Sequence, residues 1–510
     1  MTKEWTNGAG IPTIGELLTR AALLHGDRPY LEDARNDRML TYADTVRAID
    51  AFLSAAALDE HSTVFVDEPD PLVFAVAHLG AVAAGHRSVP LDPALTAEDV
   101  TRLAGLVDGP TALVTTDPAR ADAAGLRRIA PPHVADVLEG GGSEDVNVGG
   151  EPTTDAASAF RSGGSAMLFT SGSTGTPKGV ELTADRLAFV GAAVAEHLRL
   201  TEADRGYNSL PLFHINAEVV GLLATLTAGA TLVVDRRFHR TGFWPLMEQR
   251  DISWINAVPA ILAVLATETI SPPPRLRLIR TASAPLPGPV ADAFAGIPLV
   301  VSYGMTEAAS QITATPVDAP RAGTVGIPVG TEVQARGEKG VLQLDQVGEL
   351  WIRGRGVVDA YFRGAAADRF DADGWLKTGD LGSIDADGYV TLAGRVDDVI
   401  NRGGEKVYPL EVEEVLLTDP AVREVVVVGA PDDVLGFVPV AFVIPADATR
   451  TEDGDHELVD RLGRLAEERL PRFKRPRTIT VVDDVPRAAT GKVQRVRLRS
   501  AVAEVSASAE

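Results

Sequence analysis

Short apolar runs bounded by glycine, proline and acidic residues alternate with longer alanine- and leucine-rich stretches over most of the chain. Ser88-Val89-Pro90-Leu91 and Ala112-Leu113-Val114 read as strands, whereas Leu72 to Ala84 and Thr96 to Leu106 carry helical patterning. This alternation predicts α/β layers in which helices cover sheets. Val219 to Val234, the longest near-apolar stretch, is broken by threonines and glycines and is short for a membrane span. It reads as a buried helix leading into a strand that ends at Val233-Val234. Glu139 to Gly164 is rich in Gly, Ser, Thr and Asp without periodicity, which predicts a surface loop before the apolar strand Ala166 to Phe169.

The rhythm changes near Gly394. Before it, Gly348 to Gly356 and Gly388 to Ala393 suggest β-rich structure with tight turns. After it come a helix (Leu410 to Leu417), two strands (Val422 to Val428, Val438 to Ile444) and a helix (Glu457 to Leu470), enough for a small α+β domain. Ala446 to Asp455 is expected to be an exposed loop, and Ser506 to Glu510 to fray.

Composition narrows the classes. At 510 residues, 45% apolar and 23% charged, the chain has material for two or more globular domains. Acidic residues outnumber basic ones by 71 to 48, and a net charge of -23 disfavours nucleic acid as a general partner. A local basic pocket for a small anion remains open. With no cysteine, disulfides, thiolate catalysis and cysteine–zinc sites are excluded. Met1 to Leu18 lacks the apolar run of a signal peptide, and the expected location is cytoplasmic, with no membrane span.

Candidate chemistry begins at Thr170-Ser171-Gly172-Ser173-Thr174-Gly175-Thr176-Pro177-Lys178-Gly179. Glycines let backbone N–H groups close on an anion, hydroxyls add donors and Lys178 adds charge. It is not a Walker loop, because Gly179 and not a hydroxyl residue follows the lysine. A flexible polar linker is the plainer alternative, but a linker needs no strand before it. Ser302-Tyr303-Gly304-Met305-Thr306-Glu307 follows the apolar run Ile297 to Val301, at a strand end where α/β proteins bind ligands. Its ring, hydroxyl and carboxylate could stack a base, touch a phosphate and hold Mg²⁺ at Glu307; alone, it could equally be a turn. Gly374-Trp375-Leu376-Lys377-Thr378-Gly379-Asp380 offers a carboxylate suited to ribose hydroxyls, and Pro486-Arg487-Ala488-Ala489-Thr490-Gly491-Lys492 places a lysine in a C-terminal loop.

Together these segments resemble the adenylate-forming superfamily of acyl-CoA synthetases, firefly luciferases and nonribosomal-peptide adenylation domains, from Leu40-Thr41-Tyr42 through Val89-Pro90-Leu91 to Lys492. The resemblance implies an α/β fold: a large N-terminal domain of several subdomains, 1–396, and a small mobile α+β C-terminal domain, 397–510, carrying the catalytic lysine. It implies that Thr170, Ser171, Gly172, Ser173, Thr174 and Lys178 grip the outer phosphates of ATP. Ala282-Ser283-Ala284-Pro285 would lie against adenine, with Tyr303 of the Ser302–Gly304 segment stacked on it. Thr306 would approach the α-phosphate, Glu307 would bind Mg²⁺, and Asp380 with Arg395 would hold the ribose. In Gly394-Arg395-Val396-Asp397, Asp397 matches the hinge, and Lys492 matches the lysine that serves adenylation. Arg402-Gly403-Gly404 would face a thiol channel, and Lys406 would contact the AMP phosphate.

Pro211-Leu212-Phe213-His214-Ile215-Asn216-Ala217 bears on the acid. Amino-acid-activating relatives usually carry an aspartate here; His214 instead fits the gate of acyl-CoA synthetases, or else is a structural histidine. Adjacency to the motifs gives a candidate pocket of His214, Ala217, Val258, Ser283 and Ser310, mostly small or apolar, which predicts an uncharged, mainly hydrocarbon acid. The other histidines show no metal-ligand spacing. No carrier domain follows the last motif, so coenzyme A is the expected acceptor. A carrier protein or an amine is the alternative, a non-catalytic nucleotide-binding module is the remaining reading, and oligomeric state stays open. Two departures stand out: Gly436-Phe437, where relatives commonly have Gly-Glu, and Val64 to Pro71, where Asp67-Glu68-Pro69-Asp70 replaces the usual asparagine-containing turn, read as a surface loop.

Overall fold

The computed structural model describes residues 12–132, 134, 160–171, 177–446, 451–487 and 493–508. Of the predicted loop Glu139 to Gly164, residues 139–159 lie outside the described residues; the rest leads irregularly into the strand Ser165–Ser171. A nine-stranded sheet has six parallel central strands, ordered Leu299–Tyr303, Leu278–Thr281, Trp254–Ala257, Arg205–Asn208, Thr231–Val234 and Pro29–Asp33. Three of these, at 231–234, 254–257 and 278–281, are buried at every position, as parallel strands covered on both faces must be.

A six-stranded sheet runs Arg127–Ile129, Thr111–Val114, Thr63–Val66, Arg87–Pro90, Ser165–Ser171 and Pro177–Thr183. Its alternation separates two cores: Val64 and Val66 join the main core shared with the first sheet, and Phe65 joins a satellite under the helices Ala97–Ala104 and Pro118–Ala124. Pro71–Ala83 is apolar on all sides and buried almost throughout, so it serves as filling of the main core and not as a surface helix. The predicted helix-then-strand over 219–234 is a π-helical stretch, Ala217–Leu223, that continues as Ala224–Ala228, turns at Gly229 and enters Thr231–Val234. Gly191 in the helix Ala184–His197 lets these segments cross closely, because a Cβ there would lie 2.9 Å from Leu223 Cβ.

Asp67 to Asp70 is not a surface loop. Asp67, Glu68 and Asp70 are 6%, 7% and 8% exposed. Asp70 caps Pro71–Ala83 by accepting from Leu72 N and Val73 N, and it is paired with Arg38 and Arg236; Asp67 is paired with Arg120. A carboxylate suits this place because the unpaired N–H groups of a buried helix start, here those of Leu72 and Val73, need an acceptor.

A third, antiparallel sheet of five strands ends with Leu376–Ile384 and Val390–Arg395. Beyond Ile400 a separate sheet is built around Val422–Asp432 and Gly436–Pro445, and its described core clusters share no residue with the earlier ones. The predicted helix starts earlier, at Glu452, where Thr451 Oγ1 accepts from Gly454 N and acidic residues fill the first turn, so Glu452 to Asp455 is helical and not loop. The helix Arg495–Ser508 covers the first part of Ser506 to Glu510, whose last two residues lie outside the described residues, and buried Leu498 anchors this helix nearer its start. The strand Thr478–Val481, parallel to Gly436–Pro445, was not anticipated. No helix among the described residues is long and apolar enough to cross a membrane.

Candidate active site

The hairpin Ser165–Ser171/Pro177–Thr183 sets Thr170 opposite Lys178, so both sit beside the turn that joins the strands. Gly172, Ser173 and Thr174 lie outside the described residues, as does Lys492. Thr170 Oγ1 donates to Lys178 O at 3.4 Å, and Lys178 Nζ stands 6.0 Å from the centre of the Tyr361 ring. Strand Pro177–Thr183 packs against the short 3₁₀ helix Thr306–Ala308, which carries Thr306 and Glu307. Glu307 is 6% exposed. Its Oε1 accepts from Tyr361 Oη and from Arg369 Nη1 (3.1 Å), whereas Oε2 takes no hydrogen bond among the described residues. A carboxylate oxygen left in this way fits one ligand position of Mg²⁺, whose other ligands would be phosphate oxygens and water. Burial and the Glu307 charge both push the Tyr361 phenol up, so it stays a donor.

The strands Leu278–Thr281 and Leu299–Tyr303 are parallel neighbours, so the loops that follow them leave the same sheet edge. Ser283, Ala284 and Pro285 are exposed on the first loop; Ser302 and Tyr303 close the second strand. Tyr303 Oη donates to Asp380 Oδ2 at 2.6 Å, and Arg395 Nη1 reaches Asp380 Oδ1 at 2.7 Å across the pair Leu376–Ile384/Val390–Arg395. Burial, then the neighbouring Asp380 charge, raise the Tyr303 phenol well above its usual value. Gly304 is the one residue that fits its place: a Cβ would lie 1.6 Å from Ser310 O. Tyr303, Asp380 and Arg395 thus meet from separated stretches, and Ser283, Ala284 and Pro285 follow the strand beside that of Tyr303.

On the acid side, the ring of His214 packs on Phe213 at 4.6 Å between centroids, and the His214 carbonyl accepts from Ala217 N and Glu218 N as the π-helix starts. Burial lowers the His214 pKa, with Asp92 opposing, so the ring is neutral at pH 7. Ala217 is sealed, and Val258 follows the strand Trp254–Ala257. Ser283 (φ 80°) and Ser310 (φ 79°) both occupy the left-handed region, a strain that clusters at ligand sites. The expectation of an apolar lining for an uncharged acid does not describe what lies beneath. Asn216 Nδ2 approaches Ser283 Oγ at 3.4 Å, and behind it a buried arginine, Arg280, sits among amide side chains. Arg280 was missed in the sequence, as were Tyr361 and Arg369; a charge inside the apolar run Leu278-Ile279-Arg280-Thr281 was the available signal.

Beyond the third sheet, Asp397 lies exposed in the 3₁₀ helix Val396–Asp398. Arg499 Nη1 donates to Asp397 O at 2.7 Å and to Asp398 Oδ1 at 3.1 Å, so the C-terminal helix holds this junction by its backbone and by the neighbouring carboxylate. Gly403 and Gly404, at φ 57° and 93°, form the tip of the hairpin Ile400–Arg402/Glu405–Val407, with Lys406 exposed beside it.

Comparison with known proteins bears on the whole chain. Residues 18–362 match the AMP-binding enzyme family, and residues 411–492 match the AMP-binding enzyme C-terminal domain. An oxalate–CoA ligase of Arabidopsis thaliana is 35% identical over 88% of this chain and 90% of its own. A sulfoacetate–CoA ligase of Cupriavidus necator is 38% identical over 65% of this chain and 66% of its own. The o-succinylbenzoate-CoA synthetase of Bacillus subtilis, solved with an acyl-adenylate intermediate, superposes with a TM-score of 0.79 at 29% identity, covering 95% of this chain and 97% of that one. The same enzyme has been solved with ATP and a magnesium ion, at 28% identity, a TM-score of 0.77 and coverage of 94% and 98%. The chain belongs to the AMP-binding enzyme family, as an AMP-forming acid–CoA ligase.

Proposed function

We propose that this site adenylates a small carboxylic acid and that the same chain then passes the acyl group to coenzyme A. The observation that carries the reading is the convergence of the Thr170–Lys178 hairpin, Glu307 and the Tyr303–Asp380–Arg395 cluster around one sheet edge. A carboxylate is a poor acyl donor because oxide would have to leave. Attack of the carboxylate oxygen on the α-phosphorus of ATP forms a mixed anhydride and expels pyrophosphate; the thiol sulfur then attacks the acyl carbon and AMP leaves. Both reactants of the first step are anions, so fixed positive charge and in-line positioning are what the protein must supply. Thr170, Ser171, Gly172, Ser173, Thr174 and Lys178 bind the outer phosphates, and Thr306 binds the α-phosphate. Ser302 to Gly304 with Ser283, Ala284 and Pro285 hold adenine, and Asp380 with Arg395 holds the ribose. Mg²⁺ bound at Glu307 supplies further neutralisation of phosphate charge.

Residues 397–510 turn about Asp397 between the two steps. Lys492 serves the first, and Gly403 and Gly404 give the thiol a close passage in the second, with Lys406 near the AMP phosphate. The relatives act on oxalate, sulfoacetate and o-succinylbenzoate, acids with a second anionic group, which supports an acid of that class here. Acid-dependent pyrophosphate release, followed by acyl-CoA on adding coenzyme A, tests the reading; product on a carrier protein or an amine instead would replace the acceptor. Lys492→Ala should slow acyl-AMP formation about 10²-fold or more while sparing thioester formation from supplied acyl-AMP. Equal loss in both steps would defeat the rotation.

A further inference from the structure

Arg280 is 1% exposed, one of the largest side chains sealed inside the protein. Its hydrogen bonds all run to neutral oxygens. Nε reaches Ser302 Oγ at 3.2 Å, Nη1 reaches Asn216 Oδ1 at 2.7 Å and Asn256 Oδ1 at 3.2 Å, and Nη2 reaches Gln311 Oε1 at 3.1 Å. Among the described residues no carboxylate forms an ion pair with it. Buried charges are ordinarily paired with an opposite charge; this one is solvated by amides and its field is not cancelled. Burial draws the guanidinium down to about 9, so it is still protonated at neutral pH.

The amides around it are oriented by it. Because Asn216 Oδ1 faces Arg280, its Nδ2 must face the other way, toward exposed Ser283 at 3.4 Å. Asn216 follows His214 by two residues, Ser302 precedes Tyr303, and Gln311 follows Ser310, so the guanidinium ties together the segments that carry His214, Tyr303 and Ser310.

We infer that Arg280 is a positioning residue whose uncompensated positive charge, delivered through the Asn216 amide, makes the site select acids bearing a second anionic group. The inference rests on the reading of the site as an acid–CoA ligase and adds the group that sets its selectivity. A guanidinium with no countercharge among the described residues lowers the cost of bringing a dianion out of water, whereas a monoacid presents one charge, already committed to the phosphorus.

The test measures pyrophosphate release with oxalate, malonate, succinate and phthalate, each beside the monoacid in which a methyl group replaces the second carboxylate. These are run on the full chain and on Arg280→Gln and Arg280→Lys, with AMP binding measured in parallel. The native protein should favour at least one diacid over its monoacid by about tenfold or more in kcat/KM. Arg280→Gln should abolish most of that ratio through the diacid KM while AMP still binds, and Arg280→Lys, which keeps the charge, should retain part of it. A purely structural role would lower both members of each pair together, and that result overturns the proposal, as does preference for the monoacid in every pair. No pyrophosphate release with any of these acids while AMP still binds also overturns it; failure to bind AMP counts instead against the ligase reading itself.

Discussion

Glu307 and Arg280 border the same site, 6% and 1% exposed and opposite in charge. Around Glu307 the protein supplies a full countercharge, Arg369, and a phenol, Tyr361. Around Arg280 it supplies, among the described residues, only the oxygens of Asn216, Asn256, Gln311 and Ser302. Tyr361 and Arg369 answer Glu307 Oε1 and leave Oε2 without a hydrogen bond among the described residues, and the two arrangements differ in the field left over. The Glu307 pair is close to neutral, so a cation arriving there meets a group already answered; the Arg280 shell passes its charge on to whatever occupies the acid site. Buried ions need partners, but the kind of partner decides whether charge is cancelled or displayed.

The most drastic way to break this contrast is Glu307→Gln. Adenylation, read as pyrophosphate release, should fall about 10²-fold or more. Unfolding should become easier by about 2 kcal/mol, because Arg369 loses its charged acceptor. Native-like activity in this variant would reduce Glu307 to an ion-pair partner and remove one side of the comparison.

A milder change is Arg369→Met, which strips the countercharge and leaves the carboxylate. If the pair masks Glu307, the Mg²⁺ concentration giving half-maximal rate should drop about fivefold, the worth of a partly exposed pair. An unchanged requirement would mean that Arg369 and the cation share the carboxylate.

The smallest effect concerns groups that neither pair nor keep their charge. Burial lowers His86, His197 and His214, and these rings stay neutral. As pH falls through about 6.5 the unfolded chain takes up their protons first, so this stabilisation is complete above that value and is lost below it. Urea midpoints at pH 7.5, 6.5 and 5.5 should therefore decline in that order. Carboxylates held low, such as Asp33 and Asp204, lose their contribution only nearer pH 4 and do not confuse that window. His197→Gln should flatten the slope, since the amide can still donate to Thr315 O, to which His197 Nε2 now bonds at 3.0 Å.

The apolar rhythm made the layered α/β organisation legible, because strand and helix burial impose their periods locally: Pro71–Ala83, Arg87–Pro90 and Thr111–Val114 fall where the pattern put them. The motif residues Tyr303, Glu307 and Asp380 were legible too, since short-range backbone geometry and chemistry go together there. Other features were not readable by period. Asp67 to Asp70 looked like loop because its composition is polar, and only the buried helix start it caps turns those carboxylates inward. The helix Arg495–Ser508 is charged and weakly patterned, and it is held by contacts with Val422–Asp432.

The sequence by itself determined the elements, the family motifs and the class of chemistry, all of which depend on neighbours along the chain. The tertiary structure alone decided which charges are answered. Arg369 meets Glu307 across 62 residues and Arg280 meets Asn216 across 64. Electrostatic partners are chosen by distance through space, and no local pattern encodes that distance.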